Sequence, residues 1–358
     1  SQLTFYKIHW DGVYFEFAIR CPQWADRAVV LGSGDSRIVP ADGSPFHRLS
    51  WAPEIPGCAI YYREPALAGG ESTMNWGYGT GERWYLENIA VLLKKILDSL
   101  GIAPSDTLFF GSSGGGYMGI LLAAMLHARA AAINPHLILE STYPFQTKLF
   151  QSSVLKPGES LISLRTHVLR LIEREGFFPP LRIVQNRTAS REMSHQLTPF
   201  LNELPGLAAG QTDDLRVCFY DAGGGCGAMP PKADCLALMA EELARPAPYL
   251  DLSGPYPPNS LLARLATGAF GDPSPKDLRP DFSGPPLPRP IPAVPEEQVI
   301  SCARELLAGK LWLYHRIEPM DYTLDTLDFD TRFSRVPNSF QRYLQGLNPI
   351  QILTAAYN

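Results

Sequence analysis

The chain has little basic character: 31 Lys and Arg face 36 Asp and Glu over 358 residues, a net charge of −5. It therefore offers no field for gripping a phosphate backbone, and nucleic acid is not an expected partner. Cysteine is sparse and dispersed. Cys21, Cys58, Cys218, Cys226, Cys235 and Cys302 form no CxxC pair and no compact His/Cys cluster. That argues against a zinc site or a disulfide framework, and the expected setting is cytoplasmic with reduced thiols. No metal or cofactor is expected. Long apolar runs are missing too: the best candidate, Ile120–Ala132, is broken by His127 and Arg129 and is too short to span a bilayer. No signal peptide is visible. Charged residues make up only 19% of the chain and hydrophobic ones 45%, so a sizeable core can be buried and wholesale disorder is excluded.

Proline is the residue in excess. Of 33 prolines, 14 lie between Pro246 and Pro295. Proline fixes φ and removes a backbone donor, so this stretch reads as a linker with one short helical piece near Ser260–Ala269. Residues 1–245 precede it as one domain, and a helical segment, 296–358, follows.

Within residues 1–245 the pattern is strand and helix in alternation. Thr4–Trp10 and Val13–Arg20 flank Asp11-Gly12, a hairpin signal. Short apolar runs follow at Ala28–Leu31, Cys58–Tyr62, Thr107–Phe110, Ala131–Ile133, Leu181–Val184 and Val217–Tyr220. Helical spacing marks Tyr85–Leu100, Gly115–Ala132 and Ala233–Leu243, with a helical insertion near Leu155–Gly176. Near-continuous apolar strands between helices imply an α/β fold, a mostly parallel sheet with helices on both faces and the N-terminal hairpin as an antiparallel extension.

The sharpest chemical signal is Gly111-Ser-Ser113-Gly114-Gly115, a G-x-S-x-G match directly after a strand and directly before a helix. A tight strand-to-helix turn needs small residues two places either side of the serine, and it would hold the Ser113 hydroxyl at the carboxyl edge of the sheet. The Gly114 amide, at a helix N-terminus, is then a candidate oxyanion donor. A Gly-rich packing turn is the bland alternative. The loop after Ala28–Leu31, Gly32-Ser33-Gly34-Asp35, offers Gly34 as a second donor or is an ordinary turn.

A base and an acid are harder to find. Such folds usually place the acid after the next-to-last strand and the histidine after the last. The last loop, Asp221-Ala-Gly-Gly-Gly-Cys226-Gly, has the glycines but carries Cys226 where a histidine is sought. A thiol is a poor base for serine at neutral pH. Either His195 supplies the base, oriented by Asp221 or Glu192, or the site is silent. His136, in Ile133-Asn-Pro-His136 at a strand end, is a further candidate.

Phe110-Gly-Ser-Ser-Gly-Gly-Gly-Tyr117, Ala132-Ile-Asn-Pro135, Asn75-Trp76-Gly77-Tyr78-Gly79 and the glycine loop Gly223–Pro230 together resemble serine-esterase-like α/β-hydrolases of bacterial polysaccharide and glycosylation gene clusters. The carbohydrate acetyltransferases of the accessory secretory system are similar. The resemblance implies a serine-dependent carbohydrate esterase or O-acyltransferase working through an acyl-enzyme on Ser113, with a small-molecule or glycan ester as substrate. It also implies an Asp near Ala189 and a His near Cys226, and the chain departs at both. The alternative is a hydrolase-fold binding or scaffold module without turnover, holding glycan through aromatics such as Trp76, Tyr78 and Trp84. Further on, Leu306–Leu313, Asp330–Arg335, Ser339–Leu347 and Thr354–Tyr357 resemble the opening of heparinase II/III-type proteins, where such a stretch begins an α-helical toroid. That resemblance implies a fused or associated polysaccharide-lyase-like domain.

Overall fold

The computed structural model describes residues 3–34, 46–65, 74–207, 212, 214–223, 228–246, 256–271 and 280–281. The chain divides into two compact units, Ser1–Leu287 and Pro288–Asn358, and every described residue belongs to the first. The 296–358 segment with its lyase-like motifs, Cys226 and Asp35 lie outside the described residues.

Among the described residues nine strands make one sheet: β1 (Thr4–Trp10), β2 (Val13–Arg20), β3 (Ala28–Gly32), β4 (Cys58–Arg63), β5 (Thr107–Ser112), β6 (Arg129–Ile133), β7 (Leu181–Asn186), β8 (Leu215–Tyr220) and the two-residue β9 (Pro280–Asp281). Their spatial order is β8-β7-β6-β5-β3-β4-β2-β1-β9. From β4 through β3, β5, β6 and β7 to β8 every pairing is parallel, whereas β1, β2 and β9 are added antiparallel. Asp11 and Gly12 both take positive φ, 46° and 77°, as a two-residue turn matched to strand twist requires.

Side chains alternate between two apolar layers. Ala28, Val30, Phe109, Ala130 and Ala132 face one core, and Val29, Leu31, Leu108, Phe110, Ala131 and Ile133 face the other. Over the first face pack α1 (Tyr85–Leu100), α2 (Ser113–Leu126) and α4 (Val168–Glu175). Over the second lie α6 (Lys232–Ala244) and the 3₁₀ turn Leu49–Trp51. Helix α2 is buried on every side from Gly114 to Leu126, which is why its sequence has no polar stripe. It stops earlier than its apolar run suggests: His127 adopts left-handed φ 55° and closes the helix, freeing Arg129–Ile133 to be a strand.

Between β6 and β7 the chain forms α3 (Pro144–Val154) as well as α4, and after β7 come a π-helical turn, Glu192–Leu197, and α5 (Thr198–Glu203). Residues 256–271, in the Pro-rich stretch, pack on the same unit. There α7 (Leu261–Ala266) buries Leu261, whose amide donates to Glu175 Oε2 at 2.9 Å, and Arg264 reaches Glu87 at 2.7 Å. Among the described residues no helix is long and apolar enough to cross a membrane.

Candidate active site

Strand β5 passes into α2 without a loop, and Ser113 sits at the junction with φ 50°. A left-handed φ at a non-glycine residue costs about 1–2 kcal/mol and is held here by its surroundings. Two glycines make the bend feasible. A Cβ on Gly111 would lie 2.3 Å from the Gly115 carbonyl oxygen, and one on Gly115 would lie 2.9 Å from the Gly32 carbonyl oxygen. The turn expected from G-x-S-x-G is therefore present, with Ser113 half-buried at the carboxyl edge of the parallel strands.

The imidazole beside Ser113 belongs to His136. The chain leaves β6 through Asn134, at φ 44°, and Pro135, which swings His136 back over the elbow. Its amide faces the Ser113 carbonyl at 3.3 Å, and its Nε2 lies 3.3 Å from Ser113 Oγ. On the other edge of the ring, Trp76 Nε1 donates to His136 Nδ1 at 2.9 Å. An indole N–H can only donate, so Nδ1 presents its lone pair and, in the neutral ring, Nε2 carries the proton. In this form His136 donates to Ser113 Oγ.

Trp76 is itself tightly fixed. Its φ is 50°, and the Glu64 carboxylate accepts from the Asn75 amide at 2.9 Å and the Gly77 amide at 2.6 Å. The indole packs edge-on against Phe150 at 5.0 Å. Trp76, Tyr78 and Trp84 are all buried, so they form no surface platform for a glycan. Their aromatic faces are spent on the core, and the polar edge of Trp76 on His136.

The other sequence candidates lie elsewhere. His195 is exposed on the π-helical turn, its Nδ1 2.7 Å from Ser194 Oγ, and it lines a surface cavity of about 470 Å³ with Glu140, Lys148 and Arg191. Ser113 does not line that cavity. Asp221 is exposed and forms an ion pair with Arg187, whose guanidinium holds its carboxyl below the usual range. The structure thus does not bring His195 or Asp221 together with Ser113. Glu192 is buried on the same π-helical turn as His195. At the end of β7, just before the loop where an acid is expected, Asn186 is a buried hub: its Oδ1 accepts from the Thr188 amide at 3.1 Å and the Ala222 amide at 3.4 Å, and its own backbone amide donates to Asn134 Oδ1 at 2.7 Å. Ala189 is buried beside it in sequence.

Of the two candidate oxyanion donors, Gly114 opens α2, where the first amides have no helical partner. The Gly34 amide donates instead to His47 Nδ1 at 3.2 Å. Sequence reasoning passed over Arg48, which caps the Leu49–Trp51 turn in left-handed backbone, φ 63°, and donates from Nη2 to Ser112 Oγ at 2.6 Å. Burial pulls its pKa down, opposed by Cys235 and Tyr61. Gln196 was passed over as well: its Oε1 accepts from the Leu137 and Ile138 amides at 2.7 and 2.9 Å, and its Nε2 donates to the Ile138 carbonyl at 3.0 Å, pinning the segment just after His136. Among the described residues no group of three or more His, Cys, Asp and Glu is placed to hold a metal ion.

A strand order of this kind, with a serine on a strained turn between β5 and the following helix, defines an α/β-hydrolase-type fold. Among solved structures, the chain is similar to an S-formylglutathione hydrolase from Agrobacterium tumefaciens, with 16% identity over 67% of this chain and 92% of that one, TM-score 0.48. It is also similar to a Pyrobaculum calidifontis esterase, at 14% identity over 68% and 85% of the two chains, TM-score 0.48. The capsule O-acetyltransferase of Neisseria meningitidis serogroup A is similar at 13% identity over 65% and 93%, TM-score 0.44. No protein-family model matches the chain, and no curated protein matches it in sequence.

Proposed function

We propose that the chain is a serine-dependent acyl-transfer enzyme, an esterase or O-acyltransferase acting on a carbohydrate ester. The single observation that carries this reading is the Ser113 hydroxyl on its strained turn within 3.3 Å of His136 Nε2. Ser113 Oγ attacks the acyl carbonyl, and the carbon–oxygen bond to the sugar breaks. The serine proton passes by way of His136 to the departing sugar oxygen. Water or a second sugar hydroxyl then resolves the acyl-enzyme. The Gly114 amide supports the developing oxyanion at the helix N-terminus.

The resting hydrogen bonds oppose the first step. To accept the serine proton, Nε2 must hold a lone pair, which moves the ring proton to Nδ1 and sets it against the donor-only indole of Trp76. Turnover therefore requires the Trp76–His136 bond to break, and Trp76 acts as a brake on the dyad. The same bond favours the second reading, a hydrolase-fold binding module in which the brake is permanent. A fluorophosphonate label separates the two. Covalent labelling of Ser113, lost in Ser113→Ala and cut at least about 100-fold in His136→Ala, is the enzyme's result. Folded protein that stays unlabelled leaves the binding module.

A further inference from the structure

Among the described residues most buried and half-buried arginines are neutralised or saturated by the protein's own groups, although Arg191 keeps a buried Nε without a partner. Arg174 meets Glu87 at 2.5 Å and also Glu175; Arg182 meets Glu241 at 2.5 Å and Glu242 at 2.7 Å. Arg245 meets Glu242 at 2.7 Å and Asp214 at 3.0 Å. Arg129 donates to the carbonyls of Ser105, Glu242 and Arg245 at 2.8–2.9 Å.

Arg48 differs. Half-buried, it has no carboxylate partner among the described residues, and its one side-chain hydrogen bond there is to the hydroxyl of Ser112. Ring faces replace part of its lost hydration: its guanidinium carbon stands 5.5 Å from the Trp51 ring and 5.7 Å from that of Phe110. The backbone is strained to hold it there, at φ 63°, with the Arg48 carbonyl fixed by the Tyr61 hydroxyl at 3.1 Å. A cation partly stripped of water, given one neutral acceptor and kept in place by strain, is an incomplete ion pair. Its position is also specific. Ser112, which it touches, immediately precedes the candidate nucleophile, and a Cβ on Gly34 would come within 3.9 Å of the Ser112 carbonyl. The Ser112 hydroxyl, accepting from Arg48, still has its own proton to donate.

We infer that Arg48 and Ser112 form an oxyanion-binding subsite next to Ser113, which takes a carboxylate or phosphate carried by the ligand. As a statement about substrate it rests on the acyl-transfer reading above; as a binding site it stands without turnover. The guanidinium fork supplies paired donors and the charge, and Ser112 supplies a third donor. An acidic sugar or a phosphorylated acyl carrier is the chemical class that fits.

The test is titration of the whole chain with inorganic phosphate and, separately, acetate, at ionic strength held constant with chloride. Binding is read from the Arg48 Nε–Hε resonance and by calorimetry. The expected result is a saturable shift of that resonance. Arg48→Met should weaken the affinity by about tenfold or more, Arg48→Lys by less, and Ser112→Ala by a few-fold, as loss of charge-assisted hydrogen bonds implies. Whichever anion binds more tightly names the group. A resonance that neither anion moves overturns the proposal, as does equal affinity in wild type and Arg48→Met. If Arg48→Met does not fold, the wild-type resonance and Arg48→Lys carry the test. Ser113→Ala should bind the anions unchanged, so absent fluorophosphonate labelling together with Arg48-dependent binding would end the enzyme reading and leave the subsite standing.

Discussion

Replacing Trp76 by Phe is the sharpest test of how the Ser113–His136 pair is set. The change removes the indole donor that meets the lone pair on His136 Nδ1, at 2.9 Å, while keeping an aromatic ring against Phe150. A hydrogen bond of this kind is worth about 1 kcal/mol net, and it favours the tautomer in which Nε2 is already protonated. Without it, the form able to take the serine proton gains by a factor of about five, and by nearer tenfold once relief of the indole N–H facing an Nδ1 proton is added. Stability should move the other way. Trp76 is buried, and the smaller ring leaves a cavity, so unfolding free energy should drop by about 1–3 kcal/mol. The assay is the second-order rate of fluorophosphonate labelling at Ser113, measured where both proteins are fully folded, beside a urea titration and ¹⁵N spectra that report the His136 tautomer. The expected outcome is faster labelling by a less stable protein whose His136 no longer favours the Nε2–H form. Labelling that slows in Trp76→Phe, or an unchanged tautomer, would refute the reasoning, because either shows that the indole does not decide where the proton sits.

Gln196→Ala removes three hydrogen bonds to the backbone just after His136, so stability should fall by about 2–4 kcal/mol in a urea titration, and Ser113 labelling should slow even in fully folded protein. Gly111→Ala drives a Cβ to 2.3 Å from a backbone oxygen and should cost about 3 kcal/mol or more, read as a lower thermal midpoint. His195→Ala alters an exposed side chain and should change neither labelling nor stability by more than about 0.5 kcal/mol. Burial lowers the His127 pKa to about 4, so its neutral form is favoured on folding; that stability is complete above the unfolded value near 6.5 and is lost as pH falls through about 4. The loss amounts to about 3 kcal/mol, and His127→Asn, which tolerates the left-handed φ of 55°, should flatten acid unfolding across that window.

The sheet was readable because both its faces are covered. Apolar runs such as Ala28–Leu31 and Thr107–Phe110 need no polar alternation when helices lie on either side, and β3 and β5 are fully buried up to Gly111. Tyr85–Leu100 was equally plain, since its apolar residues recur at helical spacing, even though α1 is buried all round from Leu86 to Leu93 and exposes a polar side only at Lys95, Asp98 and Ser99. Helix α3 was less so, because Pro144–Val154 has no strong apolar stripe and is partly exposed. The end of α2 was misplaced because Ala128, Ala130 and Ala131 suit a helix as well as a buried strand; the left-handed backbone of His127, which no propensity reports, decides the matter.

Around Ser113, what could be read was what is local in the chain. The elbow is one continuous pentapeptide constrained by contacts between Gly111 and Gly115, so its signature is written in order. The proton partner is not local: His136 is 23 positions away and is brought over by the left-handed Asn134 and by Pro135. The Ile133-Asn-Pro-His136 strand end pointed there, but expectation favoured the loops after β7 and β8. At the end of β7, three residues before Ala189 where the acid is expected, Asn186 uses both its side-chain amide and its carbonyl to join the β7 and β8 ends: its Nδ2 donates to the Gly223 carbonyl at 3.3 Å while its Oδ1 accepts from two backbone amides. A carboxylate there could accept those amides but could not donate to the exposed Gly223 carbonyl, and it would place a charge at a fully buried position. An acid at Asn186 is thus costly to the loop architecture itself, and on the far side of the ring His136 Nδ1 accepts from the Trp76 indole. Asn186→Asp should accordingly destabilise the β7 and β8 ends without supplying Ser113 with an orienting acid.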